Sequence, residues 1–473
     1  MDWRQLLSTK RSRGVSGRRG AGSDLRSEFE KDYQRIIGSA SFRRLQDKTQ
    51  VFPLDKSDFI RTRLTHSLEV SSFAKSLGQN IGENILAYHR ESGFTPRMKE
   101  DICNILQCAG LIHDIGNPPF GHFGEVEIRE WFERELPVRQ FRGVPIAKVL
   151  PEQMRQDLYH FEGNAQALRL VTKLHFLVDD NGMNLTYALL GTMIKYPVSS
   201  VQIDRRSGDI KDKKMGYYYA DKDIFEDIQR ETGTFGKRHP LTFILEAADD
   251  IAYKTADIED AFVKGFISYN RLLEELKELQ MLYRQEGTGA FYPADKLEEI
   301  YLVGKERHVD NPEEFAVKNW IVRVQGFLLN CATYGFTSNY GAIMSGTYKH
   351  DLFYHTFADK LMDLLGDFAF REVFTSDAIY RMEVSESAMI DYLMDRFVSA
   401  AVKYDDSAQK LGTIESRMIW FISDNYKNAY HRQARGKPEA EKLYLRLLLA
   451  TDYICGMTDS YAKRLYQELN AMV

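Results

Sequence analysis

Long stretches of helical periodicity, with little proline to interrupt them, dominate this chain of 473 residues. Only 12 prolines occur, and Leu, Ala, Glu, Lys and Met fill the longest stretches. These five residues favour helices, whereas proline ends them. The sequence therefore predicts an all-α fold. Its helical patterns cover residues 28–46, a helix from about Thr62, and residues 98–114, 161–177 and 241–262.

The chain is too long for one compact core, so we expect one large unit with appended regions. We predict a catalytic core over residues 27–265 and a helical region over 266–473 packed on that core. Within the core, residues 199–239 are polar and punctuated by glycine around an aromatic run. This pattern indicates a surface insertion in which a short hairpin can form.

Residues 10–24 are rich in Arg, Gly and Ser, and we expect residues 1–26 to form a flexible basic arm. The alternative is a docked or nucleic-acid-binding segment. The net charge of -5 gives no general attraction to nucleic acid or membranes. No apolar run is long enough to span a bilayer, and no leader follows Met1, so we expect a cytoplasmic protein that contacts no membrane. The four cysteines are scattered, which fits reduced thiols and excludes a thiolate zinc site.

The main chemical signal is the adjacent pair His113 and Asp114 at the end of an apolar helix. His113 follows Ile102, Leu106 and Ala109 at helical spacing, which predicts that it faces the core. A lone inward histidine is usually a satisfied core residue. Here an acid follows at once, and two further polar residues show the same anomaly.

His66 and Asp249 are those two residues, because each shares a helix face with apolar side chains. Burying an unpaired carboxylate costs several kcal/mol, so such a residue requires a cation. Two imidazoles and two carboxylates suit one divalent metal ion with open water positions. These ligands leave Mn, Mg, Zn, Fe and Co open, and we expect Mn or Mg.

Six sequence blocks then resemble the bacterial dGTP triphosphohydrolases of the HD-domain phosphohydrolase superfamily, from about residue 27 to 465. They are FRRLQDKTQVFPL (42–54), RTRLTHSLEV (61–70), HDIGNPPFGHFGE (113–125), FEGNAQALR (161–169), ADDIAYKTADIEDA (248–261) and DYICGMTDSYA (452–462). The resemblance implies an HD-domain helical core. It also implies metal-dependent cleavage of dGTP, or of other dNTPs, at the α-phosphate, which gives a deoxynucleoside and triphosphate.

By this resemblance the metal ligands are His66, His113, Asp114 and Asp249. Asp250 is the alternative for the last position, and Asp249 is preferred because its helix face is the apolar one.

The resemblance also assigns proton-transfer or nucleophile work to His122, with Glu125 orienting it. A histidine with a near-neutral pKa, held by a carboxylate, suits that role. The alternative is a simple turn from Gly121 to Gly124 followed by an acid at a helix start.

Substrate contacts follow from the resemblance as well. By carry-over from the family, Arg63 and Lys195 are expected to bind phosphate. The chain has no P-loop, so the triphosphate is not expected to be held by one. Gln50 resembles the residue that binds the sugar 3′-hydroxyl.

Tyr253 and Asp257 follow Asp249 at four-residue steps and resemble the sugar-side wall, which Tyr196 would help to close. Tyr253 packed in the core is the alternative. His160, Phe161 and Glu162 stand where some branches of the superfamily have a His-Glu pair, so none of the three is given a catalytic role.

Two other functions stay open on the sequence. One is a different HD phosphohydrolase, a nucleotidase or a phosphodiesterase. The other is a nucleic-acid-binding protein with a vestigial HD site. The family further implies a homo-oligomer and single-stranded DNA as an effector.

Overall fold

The computed structural model describes residues 1–13, 24–50, 61–175, 182–286 and 291–472. The fold is predominantly helical, as predicted. Up to the end of the expected core, the helices are α1 Trp3–Leu6, α2 Glu28–Ile37, α3 Ala40–Arg44, α4 Arg63–Tyr88, α5 Pro96–Ile112, α6 Gly121–Glu135, α7 Ile146–Val149, α8 Glu152–Tyr159, α9 Gly163–Arg169, α10 Tyr187–Met193, α11 Lys222–Thr232 and α12 Pro240–Val263.

Ten further helices follow in the described part of residues 266–473. They are α13 Tyr269–Glu286, α14 Pro293–Glu306, α15 Pro312–Ser338, α16 Tyr340–Ser345, α17 Asp359–Ala369, α18 Asp377–Lys403, α19 Thr413–Phe421, α20 Asp424–Ala434, α21 Glu439–Cys455 and α22 Asp459–Leu469. Helix α15 packs on α4 and α12, and α18 packs on α6, α21 and α22. This region therefore covers the helices that carry the predicted site. No described helix is both long and apolar enough to cross a membrane.

Helices α4, α5 and α12 pack against one another at the centre of the fold. Helix α4 begins where Thr62 caps it by accepting a hydrogen bond from the backbone N–H of Thr65. Its contact with α5 is close because Gly110 has no side chain. A Cβ at Gly110 would lie 2.5 Å from the Ser71 Cα.

The prediction of a short hairpin in residues 199–239 is wrong. That range is fully described and contains three 3₁₀ turns and helix α11, but no strand. Two short strands, β1 Gln140–Phe141 and β2 Val144–Pro145, instead form an antiparallel pair between α6 and α7.

The prediction of a surface insertion is also wrong for the aromatic run within residues 199–239. Met215, Tyr217 and Tyr218 are buried. Gly216 approaches the Tyr196 carbonyl too closely for any side chain. Burial of these large apolar groups outweighs the polar composition of the surrounding stretch.

The prediction of a flexible arm is wrong for residues 1–13. Trp3 and Leu6 are buried, and the Trp3 indole N–H donates to the Tyr340 hydroxyl at 2.8 Å. The Arg11 guanidinium forms an ion pair with the fully buried carboxylate of Asp32. Two large apolar side chains and a partner for a buried acid are enough to dock this segment. Residues 14–23 of the predicted arm lie outside the described part of the chain.

Candidate active site

The predicted metal ligands come from three helices that meet in the centre. His66 lies in the first turn of α4, His113 is the C-terminal cap of α5, and Asp249 lies in the middle of α12. The Asp249 Oδ1 is 3.3 Å from the Nε2 atoms of both His66 and His113. One ligand atom from each of these residues lies within 4.8 Å of the other two. The cluster has the compact form of a mononuclear metal site.

The hydrogen bonding of His113 prepares its ring for a metal ion. Its Nδ1 lies 2.8 Å from the Gly110 carbonyl oxygen, which can only accept, so Nδ1 carries the proton. The Nε2 atom is buried and has no hydrogen-bond partner among the described residues. In the neutral form of this ring, Nε2 offers a free lone pair, and nitrogen and carboxylate donors together fit a divalent ion.

Asp114 lies at the edge of the cluster, with its Oδ1 3.6 Å from the His113 Nε2. Its other oxygen is paired with the Arg63 guanidinium. Although burial acts in the opposite direction, His113 and Arg63 hold the pKa of the Asp114 carboxyl below its usual range.

Asp249 is the member of α12 that joins the cluster, and Asp250 does not. The Lys195 ammonium lies 2.8 Å from the Asp249 Oδ2. Burial disfavours the charged carboxylate, but Lys195 and His113 outweigh it and hold the pKa of Asp249 well below its usual value. Asp250 behaves differently, since burial and then Glu246 raise its pKa to about 7.

Both predicted phosphate contacts thus lie directly on the ligand set. Arg63 and Lys195 place two positive charges against the carboxylates of Asp114 and Asp249. A phosphate group that entered the cluster would meet these cations at once.

His122 and Glu125 lie beside the cluster in the first turns of α6. The His122 side chain is 71% exposed, whereas that of Glu125 is 1% exposed. The His122 Nδ1 lies 3.3 Å from the Glu125 Oε2, and the other Glu125 oxygen accepts from the Gly163 N–H at 2.9 Å. The hydrogen bond that His122 donates to Glu125, and next the Glu125 charge, raise the pKa of His122. A fixed carboxylate therefore orients an accessible imidazole.

The predicted sugar-side residues contain polar atoms without partners. The side-chain carbonyl oxygen of Gln50 is buried and accepts no hydrogen bond from any described residue. The same holds for both oxygens of Asp257, whose pKa is raised well above its usual range by burial and then by Asp260. Buried acceptors of this kind usually have a partner, so they mark a place where a polar ligand fits.

Comparison with known proteins gives the family. The HD domain family matches residues 63–179. Over the full length of both chains, the protein is 46% identical to a deoxyguanosinetriphosphate triphosphohydrolase-like protein of Listeria monocytogenes. It is 33% identical to a deoxyguanosinetriphosphate triphosphohydrolase of Yersinia enterocolitica, with 100% of this chain and 99% of the relative covered. This chain belongs to the deoxyguanosinetriphosphate triphosphohydrolase family. A Synechocystis protein with the "-like" name is 31% identical over the full length of both chains.

Membership of the deoxyguanosinetriphosphate triphosphohydrolase family makes the chain an HD-domain phosphohydrolase. The HD domain match includes three of the four predicted metal ligands and the His122–Glu125 pair. Asp249 lies beyond the matched range and reaches the cluster only through the packing of α12 on α4 and α5.

Two neighbours of the site were given no role in the sequence analysis. Glu162 is buried next to Glu125, and its carboxylate pairs with the Lys214 ammonium at 2.9 Å. The Phe374 ring, from the C-terminal region, is parallel to the Tyr253 ring at a centroid distance of 6.5 Å. Glu162 belongs to the FEGNAQALR block, which was a usable signal, whereas nothing near Phe374 in the sequence points to the site.

Tyr196 and Tyr253 both have pKa values raised, first by burial. For Tyr253 the next cause is Asp257, one helical turn along α12. Both phenols are therefore neutral hydroxyl groups at the site.

Proposed function

We propose that the protein hydrolyses dGTP to deoxyguanosine and triphosphate in a metal-dependent reaction. The observation that carries this proposal is the His66–His113–Asp249 cluster, with the Lys195 and Arg63 cations on its carboxylate side. The relatives named for this activity, which align over the whole chain, support the substrate class.

In this proposal the phosphates bind at the cluster. His66, His113, Asp114 and Asp249 would hold the ion. The chemistry that a divalent ion supplies in such a site is activation of water and stabilisation of charge on a phosphate oxygen.

Arg63 and Lys195 supply the charges that compensate the triphosphate. In the free protein each cation neutralises a carboxylate of the ligand set. The planar guanidinium of Arg63 can bind two phosphate oxygens, whereas Lys195 acts as a point charge.

His122 provides the proton transfer. Its Nδ1–H donates to Glu125, which leaves Nε2 free on the exposed side of the ring. That nitrogen can take a proton from the attacking water or give one to the leaving 5′-oxygen of the nucleoside.

Gln50, Tyr253 and Asp257 form the sugar side in this proposal, with Tyr196 as a further wall. The unpartnered side-chain carbonyl oxygen of Gln50 matches a hydroxyl donor of a deoxyribose. The Asp257 carboxyl, which its raised pKa keeps protonated, can both donate to and accept from such a hydroxyl. The Tyr253 ring fills space where a 2′-hydroxyl would need a partner.

Product analysis tests the proposal directly. Each dNTP is incubated with a series of divalent metal ions, and the products are separated. We expect triphosphate and deoxynucleoside in equal amounts, and in ¹⁸O-water the label enters the triphosphate. Monophosphate or diphosphate as product would indicate a different HD phosphohydrolase. Label in the deoxynucleoside would indicate attack at carbon.

The free thiols of all four cysteines fit a reducing compartment, which supports a cytoplasmic location. The homo-oligomer and the single-stranded DNA effector stay predictions.

A further inference from the structure

Two backbone segments frame the proposed site, and each carries or leads directly to one of its residues. The first is the turn from Asn117 to Phe120, which leads into α6 and so to His122. The second is the segment from Lys48 to Gln50. The distance between these segments sets the distance between the proton-transfer group and the sugar contact.

The turn needs an external support, because its backbone is in an unfavourable conformation. Phe120 has a φ of 62°, in the left-handed region that a bulky side chain avoids. It caps α6 without any side-chain hydrogen bond. Gly121 also has a positive φ, and a Cβ there would collide with the Arg63 guanidinium.

Asp459, at the start of α22, supplies this support to both segments. One of its oxygens accepts from the Phe120 N–H at 3.0 Å. The other accepts from the Thr49 N–H at 2.8 Å and from the Thr49 hydroxyl at 2.5 Å. The residue is 1% exposed.

A simple helix-start role does not account for these bonds. An acid in the first turn of a helix usually interacts with the free N–H groups of that helix. In α22 the capping bond is made by Thr458, which accepts from the Tyr461 N–H. The Asp459 carboxylate is therefore free to act on segments 339 and 410 residues away.

Lys48 connects the same elements from the other side. Its buried ammonium donates to the carbonyl oxygens of Asn117 and Cys455, the last residue of α21. Burial lowers the pKa of Lys48 to about 8. The end of α21 and the start of α22 thus hold the turn and the substrate-side segment together at two points.

We propose that Asp459 is a positioning residue, which fixes His122 relative to Gln50 through the Phe120 and Thr49 backbones. This role rests on the proposed function. Because displacement of a reacting group by about 1 Å can cost ~10²-fold in rate, loss of this carboxylate should reduce turnover without removing any group that touches substrate.

The test compares Asp459→Ala and Asp459→Asn with the control Ser460→Ala. The control removes the Ser460 hydroxyl bond to Asp47 at 2.7 Å, which joins the same helix to the residue just before the Lys48–Gln50 segment but does not reach the turn. For each variant, kcat and KM are measured with dGTP and with 2′,3′-dideoxyGTP, along with bound metal per chain. The dideoxy substrate lacks the 3′-hydroxyl proposed to bind Gln50.

We expect Asp459→Ala to lower kcat for dGTP by roughly 10- to 100-fold with metal content unchanged. The ratio of kcat/KM for dGTP to that for the dideoxy substrate should fall by at least ~3-fold, since Gln50 is displaced. Asp459→Asn should be intermediate, because one acceptor oxygen remains. Ser460→Ala should match the wild type.

The ratio of the two kcat/KM values separates a positioning role from a loss of folded protein. An inactive fraction of the protein lowers the apparent kcat/KM for both substrates by the same factor and leaves the ratio unchanged. An unchanged ratio in Asp459→Ala would overturn the positioning role, whatever the total activity. If the wild type releases no triphosphate from dGTP, the proposed function is wrong and the role of Asp459 falls with it.

Discussion

At the scale of single residues, His122 differs from the other histidines of the site because it is exposed and held by one buried acid. If it transfers a proton, His122→Ala should lower kcat by ~10²-fold or more while the bound metal stays constant. Metal analysis alongside the rate measurement checks this. Loss of metal in His122→Ala would make the residue a ligand instead.

Glu125→Gln gives the matching pH prediction. The Glu125 carboxylate raises the pKa of His122, so its removal returns that pKa toward the ordinary value. The His122 limb of the profile of kcat/KM against pH should then move to lower pH. The loss in kcat should be smaller than in His122→Ala, since the glutamine still accepts one hydrogen bond. A limb that does not move would mean that another group titrates.

Tyr253 carries a prediction about the sugar. A 2′-hydroxyl would have to displace its ring or stay buried without a partner, which costs ~1–3 kcal/mol or roughly 10- to 100-fold. Tyr253→Ala should therefore narrow the ratio of kcat/KM between dGTP and GTP, even as both activities fall. Leu64→Ala is a partly buried control on a different helix and should leave the ratio unchanged. A constant ratio in Tyr253→Ala would make this tyrosine a packing residue held by Phe374.

The metal cluster was predictable from residues because its signals are local. His113 and Asp114 are adjacent, and His66 and Asp249 each break an apolar helix face. Asp459 and Lys48 lie in two of the sequence blocks that carry the family resemblance, but their residue types alone do not indicate what either of them does. Their partners are mainly backbone groups hundreds of residues away, and a backbone acceptor or donor has no residue type that a sequence could show.

At the scale of helices, the predicted boundaries were accurate where one face of the helix is buried along its whole length. The ranges 98–114 and 241–262 correspond to α5 and α12 within two residues at each end. The range 161–177 was less accurate, because α9 ends at Arg169 and continues as a π-helical turn. The hairpin was wrong because glycine and polar residues in 199–239 serve close packing of buried tyrosines, which the local composition does not reveal.

Helix α18 carries a buried acid that should make stability depend on pH. Glu386 is 1% exposed, and neither carboxylate oxygen has a hydrogen-bond partner among the described residues. Burial, followed by the charge of Asp459, raises its pKa to about 8. The folded protein therefore holds this proton more tightly than the unfolded chain, whose glutamate has a pKa near ~4.3.

The sign follows from proton binding. The contribution of Glu386 to stability is complete below the unfolded pKa and is lost as pH rises through the folded value. Glu386→Gln should thus gain in free energy of unfolding relative to the wild type by up to ~1.4 kcal/mol per pH unit between about pH 5 and 8. Urea unfolding at several pH values measures this difference. Glu383→Gln, a partly exposed acid one turn earlier, should give a smaller slope; equal slopes would contradict the burial argument.

At the scale of the whole molecule, the N-terminal segment joins parts of the chain that are distant in sequence. Trp3 contacts the Tyr340 hydroxyl and packs edge-on against Phe94 at a centroid distance of 5.2 Å. The Leu6 carbonyl lies 3.1 Å from the Nε2 of His239, the residue that caps α12. The segment therefore connects the start of the metal-bearing helix to the C-terminal helices. The basic and glycine-rich residues that follow hid this docking from the sequence analysis, because the apolar contact is made by three residues, Trp3, Leu6 and Leu7.

Truncation of Trp3 tests whether this segment is part of the fold. Trp3→Ala removes a 1% exposed indole and leaves the Tyr340 hydroxyl without its donor. Loss of a buried aromatic side chain costs ~3–5 kcal/mol, so the thermal midpoint should fall clearly. Leu25→Ala is the matched control, since Leu25 is an apolar residue near the N-terminus that is 101% exposed, and it should leave the midpoint unchanged.

Well below the midpoint, bound metal and kcat of Trp3→Ala should remain near wild type, because the cluster is held by the packing of α4, α5 and α12 on one another. Equal midpoints for the two variants would mean that the segment is not docked in solution.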